Sequence, residues 1–162
     1  MKKFIFAMLL ALPMTMFAQK IGHVDIDEVA KVMPEVTALQ TEIQNLQKQF
    51  DEEMERKKSA FQTKAEAYEK EKGGLSEALR SFREEELRKD YEALQQFDQT
   101  CSQELQRVSS TKQNEIMGKI LDAIKEVGAA GSYTYILPVS GIAYVGAGAN
   151  DITDQVKAKV SK

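Results

Sequence analysis

The sequence predicts an α+β chain that is mainly α-helical, in which a long antiparallel helical hairpin stands on a small β body. Of the 162 residues, 29% are charged and only 7% are aromatic, a composition typical of long helices rather than of a β-sandwich. Apolar residues recur at alternating steps of three and four over much of the chain, which is the pattern of a coiled coil. Short segments rich in β-branched and aromatic residues lie near both ends and predict strands.

Residues 1–18 are predicted to be a secretory signal peptide. Two lysines precede an apolar run from Phe4 to Leu12, and Ala18 is a small residue suited to cleavage. The run is too short for a membrane span of ~20 residues, although an N-terminal anchor is the alternative. Residue 19 is glutamine rather than cysteine, so no lipoprotein anchor is expected. We therefore expect the chain to be exported to the periplasm, which has no ATP pool.

The exported chain begins with a predicted strand over residues 21–26. Asp25 and Glu28 have the spacing of a capping box and predict that a helix starts here. An acid–base pair of Asp25 and Asp27 is the alternative interpretation. Nothing nearby supplies a nucleophile or an oxyanion donor, so we favour the cap.

The helical hairpin is predicted over residues 28–128, with its tip at Gly73–Gly74. Pro34 lies early in the first helix and predicts either a kink or a new first turn. The apolar seam is dense near the body and thins beyond Met54, where an extra step of four interrupts the heptads. We therefore expect a rigid base and a mobile tip. The returning helix is expected to end near Gly131.

Residues 19–27 and 129–162 are predicted to form the β-rich body. Tyr133–Leu137 and Ile142–Val145 predict two strands of a β-hairpin, and Asp151 predicts the cap of a short C-terminal helix. About three short strands per chain make a marginal sheet, so we expect the bodies of several chains to combine. The residues expected to build this trimerisation body are Ile21, Val24, Ile26, Tyr133, Tyr135, Leu137, Ile142 and Tyr144. Alternation leaves open which face of the strands is buried.

The sequence carries little that points to an enzyme. One cysteine and one histidine argue against a disulfide framework, a conventional zinc site and a histidine-based triad. Cys101 falls on the helical seam, where a small apolar side chain fits. Gly146-Ala147-Gly148 lacks the third glycine of a dinucleotide fingerprint. We expect no catalytic residues, no cofactor and no metal, and the net charge of −3 gives no reason to expect nucleic-acid binding.

Basic side chains surround the predicted tip, interspersed with acidic ones. They are interpreted either as a solvated surface or as a patch that attracts anionic partners, such as acidic lipid head groups or an acidic stretch of a bound protein. The residues of this basic tip patch are Lys64, Lys70, Lys72, Arg80 and Arg83.

Several segments together resemble the Skp/OmpH family of periplasmic chaperones. They are residues 20–25 (KIGHVD), 32–35 (VMPE), 131–137 (GSYTYIL) and 150–153 (NDIT), placed around a charged helical hairpin that follows a signal peptide. The resemblance covers essentially the whole exported chain. It implies a homotrimer in which the bodies share a small β-barrel and the hairpins project as tentacles around a cavity.

The resemblance also implies the function, namely that unfolded outer-membrane proteins are held in the cavity without ATP and kept from aggregating. Residues of the thin seam are the candidate client contacts: Met54, Phe61, Tyr68, Leu75 and Phe82. Well-known family members are strongly basic, whereas this chain is acidic, which weakens any argument from long-range attraction of clients. The alternative function is a structural coiled-coil spacer or adaptor of the cell envelope.

Overall fold

The structure of this protein is a computed structural model that describes residues 19–161. The predicted signal peptide, residues 1–18, lies outside the described residues. In chain order the helices and strands are β1 (Ile21–Val24), α1 (Ile26–Lys31), α2 (Pro34–Glu71), α3 (Glu77–Ala130), β2 (Tyr135–Pro138), β3 (Asn150–Asp151) and α4 (Thr153–Val160). This confirms the predicted class, a mainly helical α+β fold with a small sheet.

The helices α2 and α3 form a long antiparallel hairpin, the arm. At 1.5 Å per residue, the 38 residues of α2 span about 57 Å and the 54 residues of α3 about 80 Å. A short 3₁₀ turn over Lys72–Gly74 joins them, and the Ser76 hydroxyl accepts the amide of Leu79 to start α3. Because α3 is the longer helix, its last turns continue past the start of α2 into the body.

Two residues near the start of the arm, Pro34 and Asp25, mark the beginnings of helices, as the sequence predicts. Pro34 is the first residue of α2 and begins a new helix, so α1 and α2 are separate elements. The Asp25 carboxylate accepts the amide of Glu28 at 3.0 Å and caps α1. The reciprocal half of the predicted capping box is absent, because the Glu28 carboxylate pairs with Lys31 and Lys157.

The core of the body is made where four elements meet. α3 contributes its last turns, and β1, α1 and α4 close around them. Its buried apolar residues are Val24, Val29, Met33, Ile116, Ile120, Ala123, Val127, Ile152 and Val156. The body therefore takes in α1 and the end of α3, which the sequence pattern assigned to the arm, because these turns bury their apolar faces against the sheet.

The sheet has three short parallel strands in the order β2-β1-β3. The predicted β-hairpin is wrong: residues 142–145 form no strand, and the third strand is Asn150–Asp151. β2 pairs instead with β1, and the amide of Ile142 is used by the carbonyl of Val139 in a 3₁₀ turn. The sheet is open at both edges, so a barrel does not close within one chain.

The structure also decides which face of β2 is buried. Ile136 packs against the core, whereas Tyr135 and Leu137 point away from it and are 55% and 44% exposed. Ile21, in register with Tyr135 on the central strand, is 48% exposed. We call the side of the sheet that carries these residues the outer sheet face.

Candidate functional site

Within the described residues there is neither a metal-binding cluster nor a helix able to cross a membrane. No group of three or more histidine, cysteine, aspartate or glutamate side chains within residues 19–161 is placed to hold a metal ion. None of the helices in that range combines the length and the apolar composition that crossing a bilayer would need. The candidate functional surfaces are the arm and the outer sheet face.

The arm is held together by a seam only one layer deep. No residue of α2 is buried, and the buried residues of α3 outside the body core are Cys101 and, in its last turn, Gly128. Phe50 and Phe97 pack edge to face near it, with ring centroids 6.3 Å apart. Burial raises the pKa of the Cys101 thiol, and the charges of Asp98 and Asp51 add to the effect. Cys101 is thus a packing residue of the seam, as its spacing predicted.

Among the predicted client contacts, Phe82 differs from the other four. Met54, Phe61, Tyr68 and Leu75 are half-buried, whereas Phe82 is 65% exposed. Phe61 packs on Tyr91 of the opposite helix, with ring centroids 6.1 Å apart. The Tyr68 hydroxyl donates to Glu84 across the hairpin, and this bond, helped by burial, raises the pKa of Tyr68 to about 12. Phe61 and Tyr68 therefore bury part of their surface in contacts within the arm itself.

Sequence reasoning missed two exposed apolar residues of the arm. Leu79 and Tyr91 are 54% and 53% exposed, although both continue the three- and four-residue spacing of apolar residues along α3. Near the tip the half-buried side chain turned towards α2 is Arg80, whose charge acts on Tyr68. Because Arg80 is basic, its position in the seam does not show in the spacing of apolar residues. That spacing alone therefore could not reveal that Arg80, rather than Leu79, faces α2. Leu79 and Phe82, one turn apart on α3, form an exposed apolar pair at the tip, the tip pair.

Most of the predicted basic tip patch is neutralised within the chain. Lys64 reaches across the hairpin to Glu86 at 3.2 Å and Asp90 at 2.7 Å. Its pKa is raised, first by the bond to Asp90. Shorter-range pairs join Lys72 to Glu69 at 2.6 Å and Arg83 to Glu86 at 3.0 Å. Within residues 19–161, Lys70 and Arg80 make no ion pair.

The outer sheet face opens onto an apolar groove of about 680 Å³. Ile21, Leu137 and the irregular segment from Ile142 to Val145 line it, and Tyr144 in that segment is 84% exposed. The remaining predicted body residues lie inward: Val24 is in the core, and Ile26 and Tyr133 pack against it. An apolar face of this kind, beside two open strand edges, is typical of a surface that another chain covers.

Comparison with known proteins shows which family this chain belongs to. Residues 20–160 match the model of the family described as outer membrane protein (OmpH-like). The chaperone protein Skp of Yersinia enterocolitica is 26% identical over 143 residues, covering 88% of this chain and 87% of that protein. The chaperone protein Skp of Photorhabdus laumondii is 26% identical over 140 residues, covering 86% and 85%.

A solved structure has the same fold. A chain described as an OmpH-like outer membrane chaperone, from Caulobacter crescentus CB15, superimposes with a TM-score of 0.77. The match covers 88% of this chain and 84% of that one at 15% sequence identity. The arm-on-body architecture is therefore preserved although few residues are shared.

Proposed function

Because the chain belongs to the OmpH-like family, we propose that it is an ATP-independent periplasmic chaperone that holds unfolded outer-membrane proteins between helical arms and prevents their aggregation. The observation that carries this proposal is the one-layer arm. α2 runs for 38 residues without a buried side chain, and α3 exposes Leu79, Phe82 and Tyr91. An arm that leaves this much apolar surface unused has surface to offer to another protein.

Weak contacts at many points suit the proposed clients. An unfolded barrel strand alternates apolar and polar residues and aggregates in water. Partial burial of one leucine or phenylalanine stabilises a contact by only ~1–2 kcal/mol. Several such contacts within one cavity give tight overall binding, while each one breaks quickly. Phe82 and Leu79 are the foremost contacts in this proposal, and the half-buried Met54, Phe61, Tyr68 and Leu75 contribute what the seam leaves exposed.

The proposed working form is a homotrimer joined through the bodies. β2 and β3 each leave one edge unpaired, and Ile21, Tyr135, Leu137 and Tyr144 are exposed beside them. The segment from Ile142 to Val145 has a strand-like sequence but belongs to no strand of the sheet within residues 19–161. In the proposed trimer it lies against a neighbouring body, so that three open sheets combine into one closed barrel.

Charge plays a local role in this proposal. The acidic chain as a whole does not attract acidic clients, and Lys64, Lys72 and Arg83 already pair with carboxylates. Lys70 is exposed and makes no ion pair among the described residues, so it is the tip group proposed to meet anionic partners, whereas Arg80 turns towards α2. Such partners are acidic client segments or lipid head groups.

Dilution of a urea-unfolded outer-membrane protein tests the proposal. With a stoichiometric amount of this protein present, light scattering should stay low, and added ATP should change nothing. The client should remain unfolded and soluble in a complex isolated by size exclusion. If scattering rises as in the buffer control while the protein binds one folded envelope partner stoichiometrically, the structural spacer becomes the better description.

A further inference from the structure

Five polar residues join the two helices of the arm near its tip. Lys64 of α2 pairs across the hairpin with Glu86 at 3.2 Å and with Asp90 at 2.7 Å on α3. One turn closer to the tip, the Tyr68 hydroxyl donates to Glu84 of α3. Among residues 19–161, the other side-chain ion pair between α2 and α3 lies far away, at the base of the arm. We call these five residues the tip latch.

Apolar packing contributes little at the level of the tip latch. No residue from 54 to 100 is buried, whereas Phe50, Phe97 and the buried Cys101 fill the seam nearer the body. A cleft of about 160 Å³ opens between the helices beside the latch. The residues that line it are Lys57, Ala60, Phe61, Lys64, Asp90, Ala93 and Leu94. The tip half of the arm is therefore less completely packed than the base half.

The closed tip also leaves a hydrogen-bond donor unsatisfied. Arg80 turns towards α2, and its Nε is shielded from solvent without an acceptor among the described residues. A shielded donor of this kind destabilises the closed arrangement, because water satisfies it once the helices separate. The connecting turn does not resist such a movement, since a methyl group added at Gly73 or Gly74 would meet no atom within 4 Å.

We propose that the tip half of the arm opens as one unit, that the tip latch holds it closed, and that unfolded clients bind the open form. This inference rests on the proposed function. Phe61 packs on Tyr91 in the closed arm, and the ring of Tyr68 is half-buried between the helices. Separating the helices uncovers the sides of these rings that the closed arm hides. Opening thus adds apolar surface to that which Leu79 and Phe82 already expose.

The tip latch suits an equilibrium that a client can shift. Lys64, Glu86 and Asp90 are all partly exposed, and ion pairs of this kind are weak and screened by salt. A client that binds only the open form has an apparent affinity proportional to the open fraction. A change that weakens the latch should therefore raise client affinity by up to the factor by which it raises opening. The packed layer of Phe50, Phe97 and Cys101 limits opening to the tip half.

Amide hydrogen exchange of the exported chain, without client, tests the latch. Lys64→Gln removes both cross-hairpin ion pairs and should speed exchange at least about twofold on both helices, over residues 62–71 and 77–90. Both sides should respond, because single helices of this length are marginal once they separate. Tyr68→Phe, which keeps the ring and removes the hydroxyl, should act in the same direction. Amides around Cys101 should keep their protection.

Lys89→Gln is the matched control for the latch variant. Lys89 lies at the same level of the arm, and its ion pair, at 3.5 Å, is with Glu85 on its own helix. The loss of this charge should speed exchange in α3 alone, if anywhere. Faster exchange confined to α2 in Lys64→Gln, or no change at all, would overturn the proposal. The same effect of both variants on both helices would also overturn it, since any lost charge would then suffice.

Client affinity tests the second part of the proposal. A fluorescently labelled, urea-unfolded outer-membrane protein should bind Lys64→Gln more tightly than the wild type, by up to the factor found in exchange, while Lys89→Gln leaves its affinity unchanged. Faster exchange with an unchanged or weaker affinity would reject the open form as the binding form. If the wild type bound no client at all, the proposed function would fail, whereas the exchange data would still decide whether the latch exists.

Discussion

The backbone amide of Asp25 donates to the hydroxyl of Thr153 at 3.0 Å, across 128 residues of sequence. In a capping box this amide would be taken by the side chain of Glu28. Instead, Asp25 caps α1 with its carboxylate and gives its amide to the first residue of α4. The start of the first helix is thereby tied to the start of the last one, and both lie on the body core.

Replacing Thr153 by valine should destabilise the body. Thr153 is 7% exposed, and the change keeps its shape while leaving the Asp25 amide without an acceptor. An unsatisfied group of this kind costs about 1–3 kcal/mol. Urea unfolding should show a lower midpoint for Thr153→Val, and Thr153→Ser, which keeps the hydroxyl, should recover most of the loss. If valine and serine variants unfold alike, the hydroxyl is not the stabilising group.

Tyr135→Asp should weaken assembly and leave the single chain folded. Tyr135 lies on the outer sheet face and is 55% exposed, so a charge there is tolerated by the monomer but not by an apolar interface. Sedimentation should show smaller species with an unchanged far-UV circular dichroism spectrum. Ser140→Asp adds the same charge at an exposed position in the turn after β2 and serves as the matched control. Wild-type assembly by Tyr135→Asp would place the interface elsewhere.

Removing the tip pair should reduce client protection without affecting assembly. In Leu79→Ser with Phe82→Ser, two side chains that are 54% and 65% exposed lose their apolar surface, while Phe61 and Tyr68 keep their contacts across the hairpin. We expect client affinity to fall roughly tenfold or more, as the loss of two contacts of ~1–2 kcal/mol implies. Light scattering of a diluted unfolded client reads this out.

The matched control for the tip pair is Gln95→Ser with Gln99→Ser. Both glutamines are exposed on α3, so the change shortens two side chains without removing apolar surface. This variant should protect clients as well as the wild type. Equal protection by the tip-pair variant would mean that clients do not use these two residues.

Cys101 should react slowly with a thiol reagent in the native protein and rapidly after unfolding. The thiol is 8% exposed and its pKa is raised by burial, so the reactive thiolate is both scarce and shielded. Ser102→Cys in a Cys101→Ser background places the thiol at the next, exposed position and should react quickly in the folded state. Equal rates for the two native proteins would contradict a closed seam at this level.

The contact between Glu35 and Lys119 should make the base of the arm sensitive to acid. The hydrogen bond from Lys119 is the main cause that lowers the pKa of Glu35 below its ordinary value. Because the pKa is lower in the folded state, the ionised Glu35 carboxylate stabilises the fold above the unfolded-state pKa of about 4.3. This stabilisation is lost as pH falls through the folded-state pKa. Glu35→Gln should therefore be less stable than the wild type near neutral pH, with the difference shrinking below about pH 4.

Urea midpoints measured across this pH range check the prediction. Glu55→Gln, at an exposed position of α2 with no ion pair among residues 19–161, controls for the general loss of a carboxylate. A Glu35→Gln deficit that persists unchanged in acid would show that packing rather than charge accounts for the effect.

The helical part of this protein can be predicted from its residues alone, because the signals involved are local. Pro34 pre-sets the first turn of α2, the glycines at 73–74 break the helix, and Ser76 restarts it. The heptad spacing located the seam and the burial of Cys101 within it. Each of these effects depends on residues at most a few positions apart, so the order of residues is enough to predict it.

The sheet, the faces of its strands and the surface of the tip depend on contacts between distant residues, which local patterns do not reveal. β1 pairs with strands more than a hundred residues away, and a two-residue strand such as Asn150–Asp151 has no periodicity to detect. Ile142–Val145 has strand-like residues yet pairs with neither open edge of the sheet in residues 19–161, because strand pairing depends on how the chain is placed in three dimensions. Likewise, Arg80 rather than Leu79 turns towards α2, since the facing of a side chain depends on how two helices meet and not on the spacing within one.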